Sequence, residues 1–213
     1  MGLGELGALT QEEREDFYRN RICVPTPTFG ADVIERAQWF QVHANLEQYP
    51  TVLDIGCHDG FVTRWLGSAE FPCRVVGIDP CQAAIAAAHE LAAKEAHPDR
   101  LEYFQGTWQE HEAQCRSETF AAVVAFELIE HFPEDEIKEL LRFMDRKMVT
   151  GSQAFITTPE ISGQWGSINP EREHITLFSA ETLTTLLEST LGVTPTIELS
   201  QGGLLSAWWE KCA

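Results

Sequence analysis

Short apolar runs alternate with stretches of helical periodicity along most of this chain. Runs near 51–56, 74–79, 101–105, 120–126 and 152–157 have strand length, and most are rich in β-branched and aromatic residues. Between most of them, apolar positions recur at helical spacing, near 59–69, 81–95, 135–148 and 179–190. Ile85, Ala88 and Leu91 mark one such face in an Ala-rich stretch. This alternation predicts an α/β fold, a mostly parallel sheet with helices on both faces. The end departs from it. Pro195-Thr-Ile-Glu-Leu199, a Gln201-Gly-Gly203 turn and Leu204-Leu-Ser-Ala-Trp-Trp209 read as an antiparallel hairpin.

The start is different again. Thr10-Gln-Glu-Glu13 is a capping box that opens a short polar helix running to about Arg21, and Val24-Pro-Thr-Pro-Thr-Phe-Gly30 breaks it. Residues 1–30 are therefore an extension: either a surface arm or a lid carrying Phe17 and Tyr18 over a site. Residues 31–213 form the domain. Its first helix is expected from Ala31 to about Gln48, with Val33, Ile34, Ala37, Trp39, Phe40 and Val42 as apolar positions.

A chain of 213 residues suffices for one full core, and 44% hydrophobic with 23% charged residues is ordinary for a soluble globular protein. No apolar run has membrane-spanning length, and the first residues lack the basic start of a signal peptide. The six cysteines form no C-x-x-C pair, which points to a reduced, cytoplasmic protein without a thiolate zinc site. Charge narrows the partners. Fifteen basic against 33 acidic residues give −18, which disfavours nucleic acid, and Arg142, Arg146 and Lys147 are too few for a basic patch. The oligomeric state is not legible.

The chemistry concentrates in Thr51-Val-Leu-Asp-Ile-Gly-Cys-His-Asp-Gly60 and Val75-Val-Gly-Ile-Asp79. An apolar strand ends at Asp54, and Gly56 and Gly60 allow a tight turn and close approach of a ligand before a helix. A second strand closes on Asp79, where a carboxylate meets ribose hydroxyls in a nucleotide-type βαβ unit. Asp79-Pro80 is also a plain helix N-cap with proline at the first turn. The loop is not G-x-G-x-x-G, so a dinucleotide is not the first choice.

Val52–Gly60 resembles the first motif of class I S-adenosylmethionine-dependent methyltransferases, and the resemblance covers nearly all the chain after about Gly30. It implies a doubly wound seven-stranded sheet ending in the antiparallel hairpin, with S-adenosyl-L-methionine as cofactor. Gly56 would pass close to the methionine part, Asp54 would help hold its amino group, and Gly106-Thr107-Trp108 would meet the adenine. Trp108 is equally credible as a core aromatic. Cys57, Gly60, Pro80 and Phe126 complete the implied cofactor set beside Asp79. Relatives often carry glycine where this chain has His58.

Beyond the fourth strand, Phe126-Glu-Leu-Ile-Glu-His131 would set Glu127, Glu130 and His131 on one helical face. His174 lies after the fifth strand, beyond a long loop. The Glu-x-x-Glu-His pattern is similar to small-RNA 2′-O-methyltransferases, whose four residues ligate a divalent ion, and to ubiquinone-pathway O-methyltransferases. Two readings stand. Glu127, Glu130, His131 and His174 hold Mg²⁺ or Mn²⁺; or Glu127, His131 and His174 serve catalysis without metal, a histidine acting as base or tying down a loop. Trp165, Phe17 and Tyr18 are candidates for an aromatic acceptor wall. The expected activity is O-methylation of a small molecule or sugar. Its rivals are a metal-dependent RNA 2′-O-methyltransferase and a non-catalytic binding protein that keeps the fold.

Overall fold

The computed structural model describes residues 9–21, 23, 40, 51–67, 73–162, 174–200 and 202–212. Helix α1 (Gln11–Arg19) opens with the expected capping box: Thr10 accepts from the Glu13 N–H, and the Glu13 side chain accepts from the Thr10 N–H. The domain then runs β1 (Thr51–Ile55), α2 (Phe61–Leu66), β2 (Arg74–Asp79), α3 (Gln82–Ala92), β3 (Leu101–Gln105), α4 (Trp108–Gln114), β4 (Phe120–Phe126), α5 (Glu134–Lys147), β5 (Met148–Pro159), α6 (Ala180–Leu191), β6 (Thr196–Leu199) and β7 (Leu204–Glu210). The expected helix over 31–48 lies outside the described residues except for Phe40, and Trp165 lies outside them too.

The strands pair in the order β3-β2-β1-β4-β5-β7-β6. Neighbours from β3 to β5 are parallel; β7 pairs antiparallel with both β5 and β6. The reversal of strand order falls between β1 and β4, so their carboxyl ends open the crevice where ligands bind in such sheets. Both faces are covered. Leu53, Ile55, Val123 and Ala125 pack toward Ile137, Leu141 and Leu187 of α5 and α6, while Val52, Val75, Val124 and Phe155 pack with Phe40 and Leu66. Alternate residues of β1 thus serve opposite layers, which is why Val52 and Leu53 are both apolar and the run is broken only at Asp54.

Two elements depart from the sequence reading. Strand β5 begins at Met148, not near 152, because Gly151 at φ +79° and a register shift between Phe120 and Ala122 let it bend while still pairing. Helix α4 was not expected. Thr107 caps it, accepting from the Glu110 N–H, and the Glu110 carboxylate accepts from the Thr107 N–H. The signal was present as Thr107-Trp-Gln-Glu110, a capping box inside seven residues too short to show periodicity.

Candidate active site

A crevice of about 360 Å³ opens beyond the carboxyl ends of β1, β2 and β4. Asp54, Gly56, Cys57, Asp79, Pro80, Thr107, Trp108 and Phe126 line it, as do Glu127 and His131. Gly60 is not among the lining residues; it caps α2 in the left-handed conformation, at φ +74°.

The glycine loop is built tightly. Gly56 and Cys57 both donate their N–H groups to the Ile78 carbonyl, at 2.8 and 3.0 Å, which stitches the loop to β2. Room for a ligand is not what the glycines supply here. A Cβ at Gly56 would meet Leu128 at 2.8 Å, and one at Gly60 would meet the Tyr103 hydroxyl at 2.5 Å. The protein's own side chains fill those spaces, and the positive φ values (+77° and +74°) do the rest. Gly77, in the middle of β2, has the same use: a Cβ there would meet the Cys57 sulfur at 2.7 Å.

Asp79 is held as a buried acceptor. Its carboxylate accepts from the His58 N–H at 3.0 Å and the Cys81 N–H at 2.8 Å. It is not a helix cap, since Cys81 occupies the N-cap position of α3. Burial pushes its pKa up, opposed by the two N–H bonds. Asp54 accepts from the Thr63 hydroxyl at 2.6 Å. Full burial, with the Asp79 charge adding to it, raises its pKa to about 7 against the pull of Thr63. Two carboxylates under this stress favour a cationic ligand group.

Thr107 spends its N–H and hydroxyl on the capping box. Trp108 packs on Phe143, ring centroids 5.2 Å apart, and still lines the crevice, so core and site uses coincide. His58 stands at φ +49°, a left-handed conformation in which a glycine would be unstrained.

On the other wall, Glu127 also has positive φ, +50°, and its N–H donates to the Thr157 carbonyl at 3.0 Å. This breaks the expected helical face. Only Ile129–His131 turns, as one 3-10 turn, so Glu127 does not stand at i, i+3 and i+4 with the other two. Ligand atoms of Glu130, His131 and His174 nevertheless lie within 4.8 Å of one another; Glu127 is not in that group. The Glu130 carbonyl accepts from the Ile175 and Thr176 N–H groups, and its carboxylate accepts from the Thr158 hydroxyl at 3.0 Å. These bonds pin the segment that begins at His174 against the turn. The His131 and His174 rings lie 5.4 Å apart, but only His131 lines the crevice.

Helix α1 reaches the crevice with Tyr18, one of the aromatics read as a lid or acceptor wall, and with residues that sequence reading left out. Gln11, Arg14, Glu15 and Tyr18 line the crevice, together with Arg21. The Arg14 guanidinium pairs with Glu136, Arg19 pairs with Glu110 at 2.7 Å, and the Tyr18 ring lies 6.0 Å from His131. Arg14 gave no signal in sequence because its partner is on a helix more than a hundred positions away.

A second donor group, His111, Cys115 and Glu118, sits at the amino end of β4. Lys147 donates to the Cys115 and Glu118 carbonyls, and Arg74 pairs with the Glu118 carboxylate at 3.1 Å. These cations already balance the charge that a metal would neutralise. Arg142 and Arg146 are likewise paired, with Glu139 and Glu112, so no basic patch forms from that helix.

A family model described as a methyltransferase domain matches residues 27–190. The human mitochondrial ubiquinone biosynthesis O-methyltransferase is 30% identical over 151 residues, 65% of this chain. The match spans 40% of that relative's length. Among solved structures, the mitomycin 7-O-methyltransferase MmcR superposes with a TM-score of 0.72 at 14% identity, over 100% of this chain and 61% of that one. The N-methyltransferase NodS from Bradyrhizobium japonicum WM9, in complex with S-adenosyl-L-homocysteine, gives 0.65 at 18% identity, over 85% and 88%. At these identities the structural likeness speaks for the fold.

Proposed function

The chain belongs to the methyltransferase-domain family, with the class I S-adenosylmethionine-dependent fold, and we propose that it methylates a hydroxyl of a small molecule or sugar. The carrying observation is the pair of buried carboxylates at the strand ends, Asp54 and Asp79, which face one crevice. A nucleoside with a cationic sulfonium and an ammonium group answers both: hydroxyls for Asp79, positive charge beside Asp54. The cofactor supplies an electrophilic methyl group; what remains for the chain is to hold, align and move a proton. Asp79 grips the sugar, Asp54 orients the amino group, and Trp108 flanks the base. We assign His131 the acceptor proton, with Glu127 lining the same crevice and Tyr18 as an aromatic wall. His174 buttresses His131. The acidic chain and its paired arginines favour a small acceptor over RNA.

A second reading follows from the cluster of Glu130, His131 and His174. One carboxylate oxygen and two imidazole nitrogens suit a borderline divalent ion such as Mn²⁺ better than Mg²⁺. Such an ion would lower the pKa of an acceptor hydroxyl. Calorimetry with S-adenosylhomocysteine on the wild type and Asp79→Asn tests the first reading: binding lost in the variant supports it, and an unliganded wild type sinks it. The same titration with Mn²⁺ on Glu130→Ala decides the second. Labelled-methyl screening of cell extract then addresses the acceptor.

A further inference from the structure

We propose that Cys23 and His58 form a latch through which the N-terminal helix positions Asp79. The proposal rests on the cofactor reading above. Asp79 has two backbone donors, His58 and Cys81, and each donor residue is itself gripped by the short stretch after α1. The Cys23 sulfur lies 3.5 Å from His58 Nε2, and the Cys81 thiol donates to the Arg21 carbonyl at 3.2 Å. Positions 21 and 23 thus hold the two residues that flank the ribose acid.

His58 makes the arrangement more than coincidence. Its left-handed backbone is strained for a residue that carries a Cβ. A glycine would keep the N–H bond to Asp79 and avoid the strain, but it would give up the side chain that reaches Cys23. The thiol is protonated at neutral pH, since burial and nearby acids push its pKa to about 11, so it acts as a hydrogen-bonding group and not a thiolate. Farther along, Arg14, Tyr18 and Arg19 fasten α1 over the crevice mouth. Seating the helix and fixing the acid are therefore one equilibrium: a ligand on Asp79 tightens the helix, and a loosened helix weakens the ligand by the same factor.

The test uses the full chain as wild type, Cys23→Ala, His58→Gly and the double variant. Two quantities are read: the rate of trypsin cleavage after Arg19 and Arg21 without ligand, and the affinity for S-adenosylhomocysteine. Each single substitution should speed cleavage and weaken affinity by about three- to ten-fold, and the double should do no more than either. Cys23 lies outside the crevice lining, so Cys23→Ala separates the latch from direct ligand contact even if His58→Gly disturbs the loop. Unchanged cleavage and affinity in Cys23→Ala overturn the latch, as do effects that multiply in the double. A wild type that binds no S-adenosylhomocysteine would instead sink the cofactor reading, while the cleavage rates still report on the latch.

Discussion

The Arg14 guanidinium donates to the Glu136 carboxylate, tying the N-terminal helix to the first turn of α5 at the rim of the crevice. The arginine side chain is only 7% exposed, and its Nε has no hydrogen-bond partner. Removing the carboxylate would leave a nearly buried cation with one fewer acceptor. Glu136→Ala should therefore lower stability by about 1–3 kcal/mol, and Arg14→Met, which removes the charge itself, by less. A double-mutant cycle read by urea denaturation checks both numbers, and additive effects would dissolve the pairing.

Asp54 sets a pH window. Its folded pKa, about 7, stands above the unfolded value of an aspartate, so the folded protein holds the extra proton. The sign follows: Asp54's contribution to stability is full below the unfolded pKa and is lost as pH rises through about 7. The ligand should respond in the opposite sense, because a cationic amino group prefers the ionised carboxylate. Affinity for S-adenosylhomocysteine should climb between about pH 5 and 8 and level off above, with proton release detectable by calorimetry in buffers of different ionisation enthalpy. Asp54→Asn should flatten both curves.

Gly56 and Gly192 both adopt positive φ, but only Gly56 has a neighbour where a Cβ would go. Gly192→Ala should cost about 1 kcal/mol, the conformational term alone. Gly56→Ala adds a 2.8 Å clash with Leu128 and should cost about 2–4 kcal/mol in total. Thermal denaturation of the two variants separates the terms; equal losses would mean that Leu128 moves aside.

His131 and His174 should not behave alike. His131→Asn should lower kcat by about 10²–10⁴-fold and leave the affinity for S-adenosylhomocysteine within about two-fold, as expected for a residue that handles only the acceptor proton. His174→Asn, behind it, should lower kcat less. Treatment with a chelator distinguishes the chemistries: activity that survives removes the metal from the mechanism, and activity restored by Mn²⁺ alone installs it.

The parallel strands of the fold were legible because β1, β2 and β4 are buried on both faces and show no polar interruption until Asp54, Asp79 and Glu127. All three of those interruptions line the crevice, Asp54 and Asp79 where the cofactor was expected and Glu127 on the opposite wall. What sequence missed is long-range or short. Arg14 meets Glu136 across 122 positions, and α4 has too few residues for a periodic signal. The grouping of Glu127 with Glu130 and His131 failed because helical spacing assumes a helical backbone, and Glu127 at φ +50° is not helical. Nor could spacing reveal that Leu128 and Tyr103 occupy the room beside Gly56 and Gly60.

Strand β7 is the last described strand in sequence, yet it lies inside the sheet, with β5 on one side and β6 on the other. A ribosome must therefore release this segment before β6 can find any partner, and the earlier strands wait with an open flank. Trp209, which pairs with Ala154 and is 2% exposed, enters the core at that moment. In a variant whose other five tryptophans are replaced by phenylalanine, its fluorescence would time the closing of that flank.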